Sequence, residues 1–431
     1  MAFLRQPRAR EVAVGATFAV LLTYNASLVL GFGLFGSHGN SVVTGALLFT
    51  LPVVLFLLTF RRHQLHFQPA DAIFASLIIV GLISFSINAT EPRFSATKEH
   101  LLLTMTFVGY IACRSMGIED MRLLLPAFKR TLATIVTLGA VFTGAEILRE
   151  WNGPPGKPLV FGFNAAGTYF MQALSLLIIA LVSTEDPSPR RTSLISAMIF
   201  LPTAIFAAAM VRFTFIAVVC ALLVSMIFTG AGERWHVAAI ILTIFLATAV
   251  GLIARQNSTI LYASYVLETP VSIRTGAADV PSRAGEMPSC SLLTNRRNSI
   301  AIREALVMDA LHLIPTAGFV GTGLDSFMKF SCIKEHEVHV SILQMTVEFG
   351  WLGGFLFLLL IGLAFSGLPG AASASSEVRF VLCAVVFVAL LSLAHGRVSR
   401  ESAFFALLGC SVGIGYNHWG RRKPVYAANK E

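Results

Sequence analysis

Residues 335–354 read EHEVHVSILQMTVEFGWLGG, a polar segment with two histidines that continues directly into an apolar run. Polar side chains inside lipid cost free energy unless they contact protein or serve a function. The 3.6-residue helical period places Ser341, Gln344 and Glu348 on one stripe, which we expect to face protein. The stretch therefore indicates the mouth of a transmembrane helix, with polar residues held at its outer end.

The composition of the whole chain also indicates a membrane protein. Of its 431 residues, 55% are hydrophobic and 13% charged, and the mean hydropathy is +0.75. Soluble domains carry about 25% charged residues. The apolar residues form blocks of about 17–25, the length that crosses roughly 30 Å of hydrocarbon. The net charge of +9 is spread over short loops, which does not favour nucleic-acid binding.

The predicted fold class is an all-α integral membrane protein with about twelve transmembrane helices. Residues 1–254 would hold nine spans, residues 255–341 one large loop, and residues 342–431 three spans and a tail. The first run follows a basic leader and is long enough to span, so we expect an uncleaved helix rather than a removed signal peptide. The predicted spans are 12–35, 41–60, 72–88, 100–113, 131–148, 164–183, 193–210, 212–230, 236–254, 342–365, 379–395 and 402–418.

The distribution of Lys and Arg predicts the orientation. These residues are more than twice as frequent in the short segments on the side of the N-terminus, so both termini are predicted to be cytoplasmic. The large loop then lies outside the cytoplasm. Its first half is polar, whereas IREALVMDALHLI (302–314) has helical apolar spacing. Cys290 and Cys332 would join the two halves if they form a disulfide; two unpaired thiols are the alternative.

Several arginines on the predicted outer side are candidates for anion binding, because the guanidinium fork matches phosphate oxygens. Arg212 stands alone between two apolar runs, where it could also be an interface anchor. Arg296, Arg297 and Arg303 accompany the predicted loop helix. These three could equally form a solvated face or pair with nearby acidic residues.

His339 is a candidate general base, because an imidazole with a pKa near 6.5 accepts a proton at neutral pH. A lone loop histidine is more often incidental, and His312, His336 and His395 lie on the same predicted side. No Cys/His spacing predicts zinc, and no acidic cluster predicts calcium or magnesium. We therefore expect no metal and no other cofactor.

The motifs G-x-G-x-x-x-F and H-x-x-x-L-x-x-x-x-E-x-G-x-x-G, separated by a short gap, are similar to those of the O-antigen ligase/polymerase superfamily. Its members are bacterial inner-membrane glycosyltransferases that use glycans linked to undecaprenyl diphosphate. The matching residues are Gly321, Gly323, Phe327, His339, Leu343, Glu348, Gly350 and Gly353. FGFNAAGTYF (161–170) resembles the start of a mid-chain span in the family, with Asn164 at the matching position. Arg212 falls where the family has an arginine opening a periplasmic span.

The resemblance implies a GT-C-like fold and a metal-independent, inverting transfer at the periplasmic face. Arg212 and a loop arginine, Arg297 in preference to Arg303, would bind the diphosphate, and His339 would be the base. The implied supporting residues are Asn164, Gly321, Gly323, Glu348 and Gly350.

The acceptor distinguishes the two activities of the superfamily. A ligase would transfer the chain to lipid A–core, whereas a polymerase would join repeat units; we favour the ligase. A secondary transporter or flippase remains a further alternative, since many have twelve spans. That class predicts two similar halves and ionisable residues within the spans. Here the ionisable residues cluster at the predicted outer face.

Overall fold

The protein is described by a computed structural model. Of the residues that the structure describes, 83% are helical and none forms a β-strand. The described residues are 7–36, 41–59, 67–88, 94–151, 153, 155–267, 299–331, 333, 336–395 and 397–420. In these residues the α-helices are α1 (Pro7–Leu22), α2 (Tyr24–Phe35), α3 (Ser41–Thr59), α4 (Pro69–Asn88), α5 (Phe94–Arg114), α6 (Ile118–Arg149), α7 (Ala166–Thr184), α8 (Pro189–Ala208), α9 (Phe213–Phe228), α10 (Arg234–Ala254), α11 (Gln256–Leu267), α12 (Ser299–Ala317), α13 (Phe327–Phe330), α14 (Ser341–Glu348), α15 (Gly350–Ser366), α16 (Pro369–Ala372), α17 (Ser376–His395) and α18 (Ser402–Gly420).

Seven helical segments in the described part of the chain are long and apolar enough to cross a membrane. They are Pro69–Ile87, Ile118–Arg149, Ala166–Thr184, Pro189–Ala208, Ala231–Ala254, Gly350–Ala372 and Ser376–Ala394. In their most apolar windows, 78% of the residues are buried in α7 but only 28% in the segment that ends with α10. Since both segments are strongly apolar, α7 lies inside the bundle, and α10 has most of its apolar surface free to face lipid.

The first predicted span, 12–35, is not one straight helix. It is divided at Thr23 into α1 and α2, which meet at an angle of 93°. Counted as one span, the pair raises the number of candidates in the described residues to eight. Three further apolar helices, in α3, α9 and α18, are 10–17 residues long. The count of twelve spans therefore stays a prediction.

The predicted span 342–365 is also interrupted, because α14 ends at Glu348 and α15 begins at Gly350. The loop of residues 318–323 lies in this break. The amides of Thr322 and Gly323 donate to the carbonyls of Val347 and Glu348, at 3.0 and 2.9 Å. The loop thus satisfies carbonyls at the end of α14 that no longer have helical partners.

Two glycines make this close contact sterically feasible. Gly321 and Gly350 have φ values of +82° and +77°, which side chains other than glycine adopt at a cost. A Cβ on Gly321 would be 2.4 Å from the carbonyl oxygen of Glu348. The backbone of the loop therefore touches the backbone of the helix break directly.

The boundary of the large loop at residue 255 stays a prediction, and the first residues of this loop are helical. Residues Gln256–Leu267 form α11, directly after α10. The segment with helical spacing at 302–314 lies within α12, as predicted. Residues 268–298 lie outside the described part of the chain.

A small hydrophobic core separate from the main bundle fixes α12 against α14. Its buried members are Leu306, Ala310, Phe327, Val338 and Val347. These residues come from α12, α13, α14 and the segment preceding α14. The small core therefore holds α12 and the 336–340 segment in place relative to α14.

Candidate active site

Arg303 and His339 are both positioned by the small core. Arg303 lies one helical turn before Leu306, which is fully buried. His339 follows Val338, which is also fully buried, and precedes Val340, whose backbone is extended (φ −117°, ψ 104°). Burial of Val338 in the small core therefore fixes the backbone that carries His339, whose own side chain is only partly buried.

Lys157 and Arg212 are positioned by the main bundle. The loop that carries Lys157 is anchored by Val160, which is fully buried. The turn before Arg212 lies beside the N-terminus of α7, since a Cβ on Gly167 would be 3.1 Å from the Cβ of Ala209. The loop that carries Lys157 and the turn before Arg212 therefore bring the two cations to the region of this helix end.

Three basic side chains lie within electrostatic range of one another here: Lys157, Arg212 and Arg303, called here the basic cluster. Desolvation by the surrounding protein lowers the pKa of Lys157, and the charges of Arg303 and Arg212 lower it further. The pKa of Arg303 is lowered by burial and then by Arg212. Each shift arises first from desolvation and in part from repulsion within the cluster, so the fold holds partly desolvated like charges near one another at a cost in free energy.

Arg212 is exposed and stacks on an aromatic ring. Its guanidinium carbon is 4.7 Å from the centroid of Tyr262 on α11, within the range of a cation–π interaction. The ion pairs formed among the described residues include neither Lys157 nor Arg212. Lys157 and Arg212 therefore present positive charge that the ion pairs of the described residues do not neutralise.

His339 lies within the electrostatic influence of the basic cluster. Burial lowers its pKa to about 4, and the charges of Arg303, His336 and Arg397 contribute. At neutral pH the imidazole is therefore uncharged, with one ring nitrogen able to accept a proton. The ring of His336 lies 6.4 Å away, centroid to centroid.

The remaining predicted site residues have different surroundings. Glu348 is fully buried and accepts hydrogen bonds from Gln344 Nε2 at 3.0 Å and from the amide of Phe327 at 3.4 Å. Gly321, Gly323 and Gly350 all have positive φ at the junction of the 318–323 loop with α14 and α15. Asn164 is exposed in the turn before α7.

Some of the predicted residues lie outside the described part of the chain. They are Arg296, Arg297, Cys290 and Cys332. The preference for Arg297 as the loop arginine and the disulfide therefore stay predictions. The loop arginine that the structure places beside Arg212 is Arg303, the second choice from the sequence.

Sequence reasoning missed Lys157 and Tyr262. Lys157 lies in GPPGKPLV (153–160), on the same predicted side as Arg212, and this shared side was the available signal. Tyr262 was assigned to an irregular loop, where nothing distinguished it from other polar-loop residues.

Within the described ranges, no group of three or more His, Cys, Asp or Glu side chains is arranged to hold a metal ion. Compared with models of known protein families and with curated protein sequences, the chain has no significant match.

Proposed function

We propose that this protein is a glycosyltransferase of the O-antigen ligase/polymerase superfamily, with twelve spans and a GT-C-like fold in the bacterial inner membrane. It transfers a polysaccharide from undecaprenyl diphosphate to a hydroxyl of lipid A–core at the periplasmic face, with both termini in the cytoplasm. The observation that carries the proposal is that Lys157, Arg212 and Arg303 lie within electrostatic range of one another, and Arg303 within range of the partly buried His339.

The basic cluster suits the leaving group of this reaction. When the bond between the anomeric carbon and the diphosphate oxygen breaks, negative charge develops on the diphosphate. Preorganised cations stabilise such charge because they need no reorganisation during the reaction. The clustering of like charges against their own repulsion supports a binding role, since an anion would remove that repulsion.

His339 accepts the proton of the acceptor hydroxyl while the hydroxyl oxygen forms a bond with the anomeric carbon. Attack from the face opposite the diphosphate inverts the anomeric configuration. A positioned general base contributes roughly 10²–10⁴-fold to the rate.

A bound diphosphate would also tune this base. The pKa of free His339, about 4, is held down in part by the charge of Arg303. An anion bound to Arg303 offsets that charge and raises the pKa towards the working pH, where a general base is most effective. Donor binding would thus activate the histidine.

The test is complementation of a strain that lacks the chromosomal gene, with lipopolysaccharide examined on gels. Wild type should restore smooth lipopolysaccharide, whereas His339→Ala and Arg212→Ala should not, and polymer should accumulate on undecaprenyl diphosphate. His312→Ala is the matched control, because His312 is an exposed histidine on α12. Immunoblots of the membranes establish equal amounts of each variant.

Two results would revise the proposal. If the deletion strain carries core capped with a single repeat unit, the protein is a polymerase. If lipopolysaccharide is unchanged by His339→Ala, this residue is not the base.

A further inference from the structure

A second charged cluster lies at the 336–340 segment, centred on Arg397 in the connection between α17 and α18. The guanidinium of Arg397 contacts the carboxylates of Glu99 at 3.2 Å, Asp325 at 3.5 Å and Glu337. Arg400 contacts Glu99 at 3.0 Å. These five residues are called here the Arg397 cluster.

The Arg397 cluster joins four separate parts of the chain. Glu99 is in α5, Asp325 follows the 318–323 loop, and Glu337 lies two residues before His339. The exposed fractions of these carboxylates are 5%, 6% and 8%. Because buried ion pairs are directional and costly to break, this cluster fixes the segment of His339 to α5 and to the α17–α18 connection.

Glu337 is incompletely paired within the cluster, as is Asp325, whose Oδ1 is also buried without a hydrogen-bond partner among the described residues. Three carboxylates share two arginines, and Glu337 Oε2 is buried without a hydrogen-bond partner in the described residues. Burial raises the pKa of Glu337 to about 7; Arg397 opposes this shift, while Glu99 and Asp325 add to it. Glu337 is therefore ionised and paired above neutral pH, and protonated below it, where the attraction to Arg397 weakens.

Arg397 also connects this cluster to His339, since its charge contributes to the lowered pKa of the imidazole. Resting on the proposed transferase function, we propose that Glu337 is a positioning residue that holds the His339 segment to Arg397 when ionised and releases it when protonated. The other titratable and charged groups that face Glu337 or its segment are Glu99 from α5, Arg303 from α12, Asp325, Glu348 from α14, Arg397, Arg400, His336 and His339.

The first experiment measures the pH dependence of kcat. Full-length protein in liposomes is given an undecaprenyl-diphosphate-linked glycan and lipid A–core between about pH 6 and about pH 8. For one group that titrates near pH 7, the ionised fraction and the rate of wild type rise about tenfold over this range. Glu337→Gln, which mimics the protonated form, should remain at the low rate throughout.

The controls separate positioning from folding. Glu304→Gln, an exposed glutamate on α12, should keep the profile of wild type. Glu337→Asp should retain a pH-dependent rate, because it can still ionise, and it carries the test if Glu337→Gln does not accumulate in membranes. A Glu337→Gln profile that rises with pH like that of wild type would overturn the inference.

A second measurement does not depend on activity. Diethyl pyrocarbonate modifies uncharged, accessible histidines, and mass spectrometry reports the rate at His339 in the full-length protein. At about pH 8 His339 should react several-fold more slowly in wild type than in Glu337→Gln, and at about pH 6 the two rates should converge. Equal rates at every pH would overturn the positioning role.

The two measurements distinguish the two proposals. If wild type transfers no glycan but the reactivities differ as expected, the transferase function fails and the positioning of His339 stands. If transfer occurs and the reactivities are equal, the function stands and the positioning fails.

Discussion

The charges of Arg303, in the basic cluster, and of Arg397, in the Arg397 cluster, both act on His339, but the two clusters differ in the partners of their cations. Arg397 contacts three nearly buried carboxylates. In the described part of the chain, Lys157 and Arg212 form no ion pair, and Arg212 instead stacks on Tyr262. The same type of side chain therefore has carboxylate partners in one region and an aromatic partner in the other.

This difference indicates different roles for the two regions. An arginine surrounded by buried carboxylates stabilises one arrangement of the chain, and removing it leaves uncompensated charges. A guanidinium held on an aromatic face, by contrast, keeps its donors available for an anionic ligand. Substitution should therefore affect stability in the Arg397 cluster and catalysis in the basic cluster.

Arg397→Ala should have the largest effect on stability. It leaves Glu99, Asp325 and Glu337 buried with only Arg400 nearby, and loss of one partner of a buried pair costs about 3–5 kcal/mol. Denaturant unfolding of the purified protein in detergent micelles measures the change. Arg212→Ala is the comparison, and an exposed side chain of this kind should change the unfolding free energy by less than about 0.5 kcal/mol. Equal losses of unfolding free energy in the two variants would contradict the assignment of a stabilising role to Arg397 and a catalytic role to Arg212.

Arg212→Ala should instead lower kcat/KM for glycan transfer by about 10²–10³-fold, the usual effect of removing a charge-stabilising group. Arg212→Lys should recover only part of this loss, because an ammonium lacks the planar fork that contacts two phosphate oxygens. Rates measured in liposomes at equal protein amounts provide the test. Full activity in Arg212→Ala would make this residue an interface anchor.

The helical class and the loop helix α12 could be predicted because both depend on local apolar periodicity. The break between α14 and α15 could not. It depends on the 318–323 loop, whose contact with residues 347–351 requires positive φ at Gly321 and Gly350. Neither glycine, taken alone in the sequence, indicates that the loop and the helix break lie in contact. The bend at Thr23 likewise has no proline or glycine at the bend itself to indicate it.

In the site, the types of residue were predictable but their proximity was not. Arg212 and His339 could be singled out because charged and titratable side chains beside apolar spans are costly. Lys157 and Tyr262 reach the same place from connections that are distant in sequence. The Arg397 cluster joins residues about 300 positions apart, Glu99 and Arg397, and only the packing of α5 beside the α17–α18 connection brings them together.

Lys157→Ala tests whether the third cation belongs to the basic cluster. Because Lys157 contributes a compact charge rather than a fork, we expect KM for the lipid-linked donor to rise about tenfold, or about 1.4 kcal/mol. The KM for the acceptor should not change. Lys329→Ala, a lysine on α13 outside the basic cluster, is the control. Unchanged donor KM would exclude Lys157 from the site.

The smallest effect concerns the stability contributed by His339. Its folded pKa, about 4, is lower than the ordinary value of 6.5. The folded state therefore binds a proton less readily than the unfolded state, so stability is present above pH 6.5 and lost as the pH falls towards 4. His339→Gln should remove this part of the loss, raising Tm at about pH 4.5 by about 2–4 °C relative to wild type after normalisation at pH 7.5. His312→Gln should follow wild type.

Inorganic diphosphate should reduce this difference in Tm, because an anion at Arg303 removes part of the cause of the lowered His339 pKa. A Tm difference that is insensitive to diphosphate would show that the basic cluster does not influence His339.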